Sequence, residues 1–325
     1  MPYAQEHGLT TSRGLDVIRK GYNAPISVDG SGENTKLSVA KSVVYTGQHT
    51  FDIATGTKIA STTLQDNSME RMTDHLDDFM YGMSYESGRG YRIRAYDKYF
   101  QKVWECADPD AMSSRAILTK EFIFATYPKG VVKINRKTGA VLLKKEIVGF
   151  PDTTSGTGGV LSFGTNEFQN KIVLAYFSDV YIIDVTDLTV IKKITIPDKI
   201  DNGGYYTHGC ALLKDTLHIF MYESATERSL SHVAFDINGT SFTVQKDALL
   251  NYKMNRSGWQ APPNQAVQTF KKYFSVLNYL MDYKNGMLKT LAITGKDFSN
   301  VYMNQNTYVA SYFHSKLVQY GRIKQ

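Results

Sequence analysis

Between Val180 and Pro197 the chain reads VYIIDVTDLTVIKKITIP: an alternating apolar run, a polar corner at Asp184, and a second alternating run. Alternation with period two marks a strand, and a polar corner between two such runs marks a tight turn. The stretch therefore predicts an antiparallel hairpin. The same pattern recurs in TFDIATGTKIASTTL at Asp52, RAYDKYFQKVWEC at Asp97, VKINRKTGAVLLKKEI at Asn135 and VAFDINGTSFTVQK at Asp236. A degenerate sixth copy, LAITGKDFSNVYM, has Thr294 in the Asp position. At each corner an Asp or Asn side chain can accept hydrogen bonds from backbone N–H groups two residues on. Gly56, Gly139 and Gly239, near the ends of three corners, supply positive φ without steric cost.

Two further strands precede each corner. Ahead of Asp184 they are GVLSFGT and NKIVLAYF; ahead of Asn135, RAILTK and EFIFATY; ahead of Asp236, GCALLKD and TLHIFMYE. The sixth copy reads as AVQTFKK, YFSVLNYLM, LKTLAIT and FSNVYM. Four short strands in each repeat of about forty to sixty residues is the unit of a radial, all-β repeat architecture.

The Asp-x-x-Thr-Gly corner before a final strand, clearest at Asp52–Gly56, resembles the blades of quinoprotein-like and YVTN-type β-propellers across residues 36–325. No Trp-Asp dipeptide follows the corners, which sets the WD40 family aside. Six corners imply six four-stranded blades; five or seven remain open if degenerate copies are counted differently. Two separate sandwich domains are the architectural alternative. The run TYVASYFHSKLVQYGRI near the end has no corner of its own. Its strands are expected to complete the first blade, pairing the two ends of the chain and removing the last open edges. Residues 1–35 fall outside the repeat and read as an arm or linker, with a short helix over SRGLDVIRKGY capped by Thr11 or Ser12.

Composition narrows the function classes. The 325 residues are 42% hydrophobic and 21% charged, which fits a folded chain rather than a disordered one. The net charge of +6 is spread in pairs such as Lys144-Lys145 and Lys192-Lys193 rather than gathered in a patch. It therefore predicts solubility and weak attraction to anionic polymers, not nucleic-acid binding. Two cysteines, Cys106 and Cys210, give neither a disulfide framework nor metal-ligand spacing. No apolar run is long enough to span a membrane, and MPYAQEHGLTTSRGLD has no apolar core of a secretory signal, so synthesis and residence in a cytoplasm are expected.

No catalytic constellation stands out, and no cofactor is expected. The seven histidines lack helical metal-ligand spacing. Asp74, Asp77 and Asp78 cluster in TDHLDDF and form a weak candidate for a hard cation, without the ligand order of a calcium loop. TTSGTGGV (153–160) lacks the lysine of a phosphate loop and reads as a loop between blades. Two long inter-blade loops carry the candidate binding residues: Tyr205, Tyr206 and His208 in one, Tyr252, Asn255, Arg256, Trp259 and Gln260 in the other. Trp, Tyr and Arg dominate protein-interface hot spots, and aromatic faces beside amides also suit sugars. The corner residues Asp52, Asp97, Asn135, Asp184 and Asp236 are expected to be structural.

The repeat architecture, the lack of a catalytic set and the separate N-terminal arm point to a non-enzymatic structural or adhesion propeller. The Tyr-, Asn-, Thr- and Gly-rich composition looks like a bacteriophage virion protein of the tail or receptor-binding kind. Its partners would be other virion or scaffold proteins, engaged in part through residues 1–35, and a cell-surface glycan. A carbohydrate-active propeller hydrolase or lyase, and a cytoplasmic protein-interaction scaffold, are the alternatives.

Overall fold

A computed structural model gives the fold. It describes thirty strands together with residues 40–42, 57, 62, 73, 76–79, 97–101, 106–108, 119–121, 128–129, 136–140, 147–150, 170, 185–189, 215 and 237–238. Side chains are described for most of these between 40 and 195 and for parts of 210–238.

Three short strands come first: β1 (Thr10–Thr11), β2 (Asp16–Ile18) and β3 (Ile26–Ser27). Sheet 1 follows with β4 (Ser38–Val39), β5 (Val43–Tyr45), β6 (His49–Asp52) and β7 (Lys58–Ser61). Sheet 2 holds β8 (Glu70–Met72), β9 (Met80–Glu86), β10 (Gly90–Tyr96) and β11 (Lys102–Glu105). Sheet 3 holds β12 (Ala116–Leu118), β13 (Phe122–Tyr127), β14 (Gly130–Asn135) and β15 (Val141–Glu146). Sheet 4 holds β16 (Val160–Phe163), β17 (Lys171–Tyr176), β18 (Asp179–Asp184) and β19 (Val190–Thr195). Sheet 5 holds β20 (Tyr205–Leu213), β21 (Thr216–Glu223), β22 (Leu230–Asp236) and β23 (Phe242–Gln245). Sheet 6 holds β24 (Gln268–Phe270), β25 (Tyr273–Val276), β26 (Tyr279–Lys284) and β27 (Met287–Ile293). Sheet 7 holds β28 (Phe298–Asn304), β29 (Thr307–Tyr312) and β30 (Leu317–Lys324). Within each sheet consecutive strands pair antiparallel in chain order.

Among the described residues the strands form seven sheets, where six corners recur along the sequence. The difference arises in the last copy. YFSVLNYLM is not one strand: Val276 pairs with Tyr279, so β25 and β26 are a hairpin. FSNVYM then opens a further sheet instead of closing the sixth. The run is mostly apolar and lacks an Asn-Gly or Asp-Gly turn signal, so alternation alone did not show the reversal.

The N-terminal segment also departs from expectation. Where a helix was predicted, Asp16–Ile18 is a strand, paired with β30 through Asp16–Lys324, Val17–Ile323 and Ile18–Arg322. β3 pairs with the other end of β30, and β1 adds to β27 of sheet 6. The last strand, β30, pairs with β2 and β3 of the first 35 residues and not with sheet 1. An open sheet edge offers a full row of backbone partners, which outweighs the modest helix preference of a short segment.

Neighbouring sheets pack face to face, and period two decides which neighbour each side chain meets. In β17, Ile172 and Leu174 face sheet 3 while Val173 and Ala175 face sheet 5. In β18, Tyr181 and Ile183 face sheet 3 while Val180 and Ile182 face sheet 5. Sheet 3 repeats this: Ile123, Ala125, Val132 and Ile134 pack on sheet 2, and Phe124 and Val131 on sheet 4. The middle strands are buried on both faces and so read as near-continuous apolar runs. Outer strands such as β15 and β19 show exposed positions. Each fully buried aliphatic or aromatic side chain contributes about 1.5–3 kcal/mol.

The first strands of successive sheets also approach one another. β8 meets β12, β12 meets β16, β16 meets β20 and β24 meets β28; β28 of the last sheet meets β4 of the first. Among the described residues there are no helices, and none is therefore long and apolar enough to cross a membrane.

Candidate interaction surfaces

In sheets 2 to 5 the corner between the third and fourth strands is built by its own polar side chain. Asp97 Oδ1 accepts from the backbone N–H of Tyr99 and of Gln101, both at 2.9 Å. Asn135 Oδ1 accepts from Lys137 N at 2.9 Å and Thr138 N at 3.1 Å. Asp184 Oδ1 accepts from Thr186 N at 2.7 Å, and Asp236 Oδ1 from Asn238 N at 2.9 Å. Asp52 closes its turn through its backbone, with its N–H donating to Thr57 O at 2.9 Å.

The corner ends in a residue with positive φ. At Gly139 φ is +72°, as a glycine allows, but Phe100 (φ 62°) and Leu188 (φ 58°) hold the equivalent position with full side chains. Both are buried: Phe100 in the core between sheets 1 and 2, Leu188 between sheets 3 and 4. Packing there compensates the roughly 1–2 kcal/mol cost of the left-handed backbone. Gly139 has a different reason to be glycine. A Cβ there would stand 2.4 Å from Trp104 Cε3 of sheet 2. Gly139→Ala is therefore expected to destabilise the fold by about 2 kcal/mol, combining backbone strain and overpacking. Urea unfolding checks it; a change below about 0.5 kcal/mol would contradict the placement of the indole.

The corners also latch one sheet to the next. The residue after each corner Asp or Asn is the receiver. Thr50 Oγ1 of sheet 1 donates to Lys98 O in the corner of sheet 2, at 2.7 Å. Lys133 Nζ of sheet 3 donates to Val185 O of sheet 4 at 2.8 Å, and lies 4.0 Å from the Phe122 ring centroid. Lys192 Nζ of sheet 4 donates to Ile237 O of sheet 5 at 2.6 Å. Between sheets 2 and 3 the direction reverses, and the residue after the corner, Arg136, sends its guanidinium back. Its Nε donates to Tyr81 Oη at 2.9 Å, one terminal nitrogen to Thr119 O at 2.8 Å, and the other to Asp77 Oδ2 at 2.8 Å. The Arg136 side chain is 3% exposed and that of Asp77 28%.

The acidic pair expected as a weak cation candidate is engaged by these protein donors. Besides Arg136, Asp77 accepts from Tyr81 Oη at 3.0 Å and Phe79 N at 3.0 Å. Asp78 accepts from both Ser42 N and Ser42 Oγ at 2.6 Å, tying sheet 2 to sheet 1. Its carbonyl receives the Tyr45 hydroxyl. Burial, followed by the nearby Asp78, raises the Tyr45 hydroxyl far above its ordinary range. Burial likewise raises Tyr81, partly offset by Arg136. Both phenols stay protonated and act as donors. Among the described residues no group of three His, Cys, Asp or Glu side chains is placed to hold a metal. Asp74 lies outside the described residues.

A second bridge joins sheets 2 and 3. Arg92 donates to Asp108 O, and Lys144 Nζ reaches Asp108 Oδ1 at 3.2 Å. Burial raises the adjacent Cys106 thiol, which keeps it protonated. Across β10 and the outer strand β11 of sheet 2, Arg94 Nε donates to Glu105 Oε2 at 2.9 Å. That hydrogen bond, assisted by Lys102, holds the Glu105 carboxyl down at about 2. A depressed carboxylate contributes stability that is present above its unfolded pKa and lost as pH falls through the folded value. The contribution should fade from about pH 4.5 down to about pH 2. Allowing for solvent screening it is worth about 1 kcal/mol. Arg94→Met should flatten acid unfolding over that window; an unchanged acid profile would refute the assignment.

The opposite face carries the links between sheets. After β15 the chain turns sharply at Ile147–Phe150, with Phe150 N donating to Ile147 O at 3.0 Å and Gly149 at φ +75°. Ile147 and Phe150 are buried while Val148 at the tip is 98% exposed. Of the sequence-derived binding residues, Tyr205, Tyr206 and His208 are not in a loop. They belong to β20, with Tyr205 opposite Glu223 and Tyr206 opposite Tyr222. The register slips between Thr207 and Gly209, so His208 is the extra residue of a bulge. Glycine and aspartate in DKIDNGG suggested a loop that ran too far; the strand begins at the tyrosine pair, as aromatic strand preference favours. Tyr252, Asn255, Arg256, Trp259 and Gln260 lie outside the described residues. The latch residues Thr50, Lys133, Arg136 and Lys192 were missed. A trace existed for one: Lys133 interrupts the apolar strand GVVKIN.

No protein-family model matches the chain, and no curated protein matches it. Solved structures do. BamB from Moraxella catarrhalis is 11% identical with a TM-score of 0.51, covering 97% of this chain and 99% of that one. The β-propeller domain of Cps50 (Swd1) from Myceliophteria thermophila is 10% identical with a TM-score of 0.54, covering 95% and 100%. The WD40 β-propeller domain of Doa1 is 11% identical with a TM-score of 0.56, covering 98% of each. At such identities the likeness concerns the fold, and the fold is an all-β propeller.

Proposed function

We propose that this chain is a non-enzymatic, protein-binding β-propeller, with its seven sheets as seven blades. Residues 1–35 close the ring by supplying the outer strand of the last blade. The observation that carries the reading is the set of latches and double-faced cores between sheets 1 to 5. They make a stiff frame, and stiff frames present loops and strand ends to partners at low conformational cost. The binding face on this reading is the one carrying the links between blades. There Tyr205 and Tyr206 begin an axial strand and Trp259 lies in the longest connection. The propeller neighbours support a scaffold of this kind, and none of the three is described as a virion protein. Residence in a phage tail is a narrower form of the same proposal, favoured by composition alone.

The test compares the full chain with Trp259→Ala and with Tyr205→Ala/Tyr206→Ala in affinity copurification read by quantitative mass spectrometry. A partner held by the parent should be weakened by about 2 kcal/mol or more in at least one variant whose melting temperature is unchanged. Partners bound equally by all three would remove this face from the reading. Copurification with phage particles would select the virion form.

A further inference from the structure

Each outer strand of a sheet presents unpaired backbone groups that another strand can pair with. Among the described residues six outer edges are guarded, four by bulges together with lysines and two by very short outermost strands. In sheets 1 to 4 the register slips between Thr50 and Phe51, Ala95 and Tyr96, Lys133 and Ile134, and Ile182 and Ile183. The slip leaves Ile59, Val103, Leu142 and Ile191 as the extra residues of bulges in β7, β11, β15 and β19. Every one of those strands also bears lysine: Lys58, Lys102, Lys144 with Lys145, and Lys192 with Lys193. Bulges and lysines are the devices by which edges resist strand addition. In sheets 6 and 7 the outermost strands are instead β1, and β2 with β3, each only two or three residues long and so too short to invite addition.

Sheet 5 is the exception. β23 pairs with β22 in unbroken register: His232 with Gln245, Val233 with Val244, Ala234 with Thr243, Phe235 with Phe242. Its sequence, FTVQ, carries no charge, and among the described residues no strand lies beyond it. We propose that β23 is a self-pairing edge, through which two copies of the chain associate by antiparallel β23–β23 addition across a twofold axis.

Charge selects a second copy as the occupant. In a twofold edge pair each strand meets itself. β19 would set Lys192 or Lys193 against its own copy, which is unfavourable on a sheet. With the axis through Val244, β23 sets Val244 against Val244 and Thr243 against Gln245 of the second copy, neutral against neutral. A pair of four-residue edges is small, so the association is weak and concentration-dependent.

Sedimentation equilibrium on the full chain, from the micromolar to the near-millimolar range, tests this. The mass should rise from one chain towards two. Val244→Lys and Gln245→Lys should each weaken association by about tenfold or more, through like charge at or beside the axis. Val244→Thr and, on the outer strand of sheet 4, Ile191→Lys should leave it unchanged. Circular dichroism melts identify variants that fold; should Val244→Lys not fold, Gln245→Lys, at the strand end, carries the test. A mass of one chain at every concentration overturns the proposal. So does association that survives both folded charge variants, or that Ile191→Lys abolishes.

Discussion

Arg136→Ala is expected to lower the unfolding free energy by about 3 kcal/mol, among the largest losses any single polar residue here should produce. The guanidinium is nearly buried and serves three acceptors on two sheets. Its removal takes away three hydrogen bonds and leaves Thr119 O and the Asp77 carboxylate each without that donor. Removing one partner of a buried charged pair is costlier than removing both, since the survivor remains desolvated. Arg136→Met/Asp77→Asn should therefore be less destabilised than the sum of the two single changes, by about 1 kcal/mol or more. Chemical unfolding of the four proteins measures this. An Arg136→Ala cost under about 1 kcal/mol, or strict additivity, would mean that the latch between sheets 2 and 3 does not hold the frame.

The second large effect separates strain from packing. Leu188→Ala should cost about 3 kcal/mol, because a leucine only 1% exposed is emptied from the core between sheets 3 and 4. Leu188→Gly would ordinarily cost about 1 kcal/mol more than alanine, through chain entropy and the lost methyl group. Here φ is +58°, a conformation that alanine resists and glycine accepts. The two variants should thus lie within about 0.5 kcal/mol of each other. A glycine variant less stable than the alanine one by more than about 1.5 kcal/mol would show that the corner is not strained.

These two residues also mark how far the sequence could be read. The corners were legible because their chemistry is local. Asp97, Asn135, Asp184 and Asp236 bond to backbone groups only two to four residues away, so spacing along the chain reveals them. The latches were not legible, because Thr50 and Lys98, or Lys133 and Val185, are neighbours only after two sheets have docked. For the same reason Leu188 reads as one more polar-corner residue until sheet 3 is placed against it.

Sequence by itself determined the all-β class, the four-strand unit and its antiparallel hairpins. Period-two patterning and turn chemistry act over a few residues and leave their mark in the string. Tertiary structure alone decided the number of sheets, the recruitment of β1, β2 and β3 to the last two of them, and the placement of Tyr205 and Tyr206 in a strand. Each of those outcomes depends on which strand edge is left open elsewhere in the molecule. Backbone hydrogen bonding to a distant edge carries no side-chain signature that a linear reading can detect.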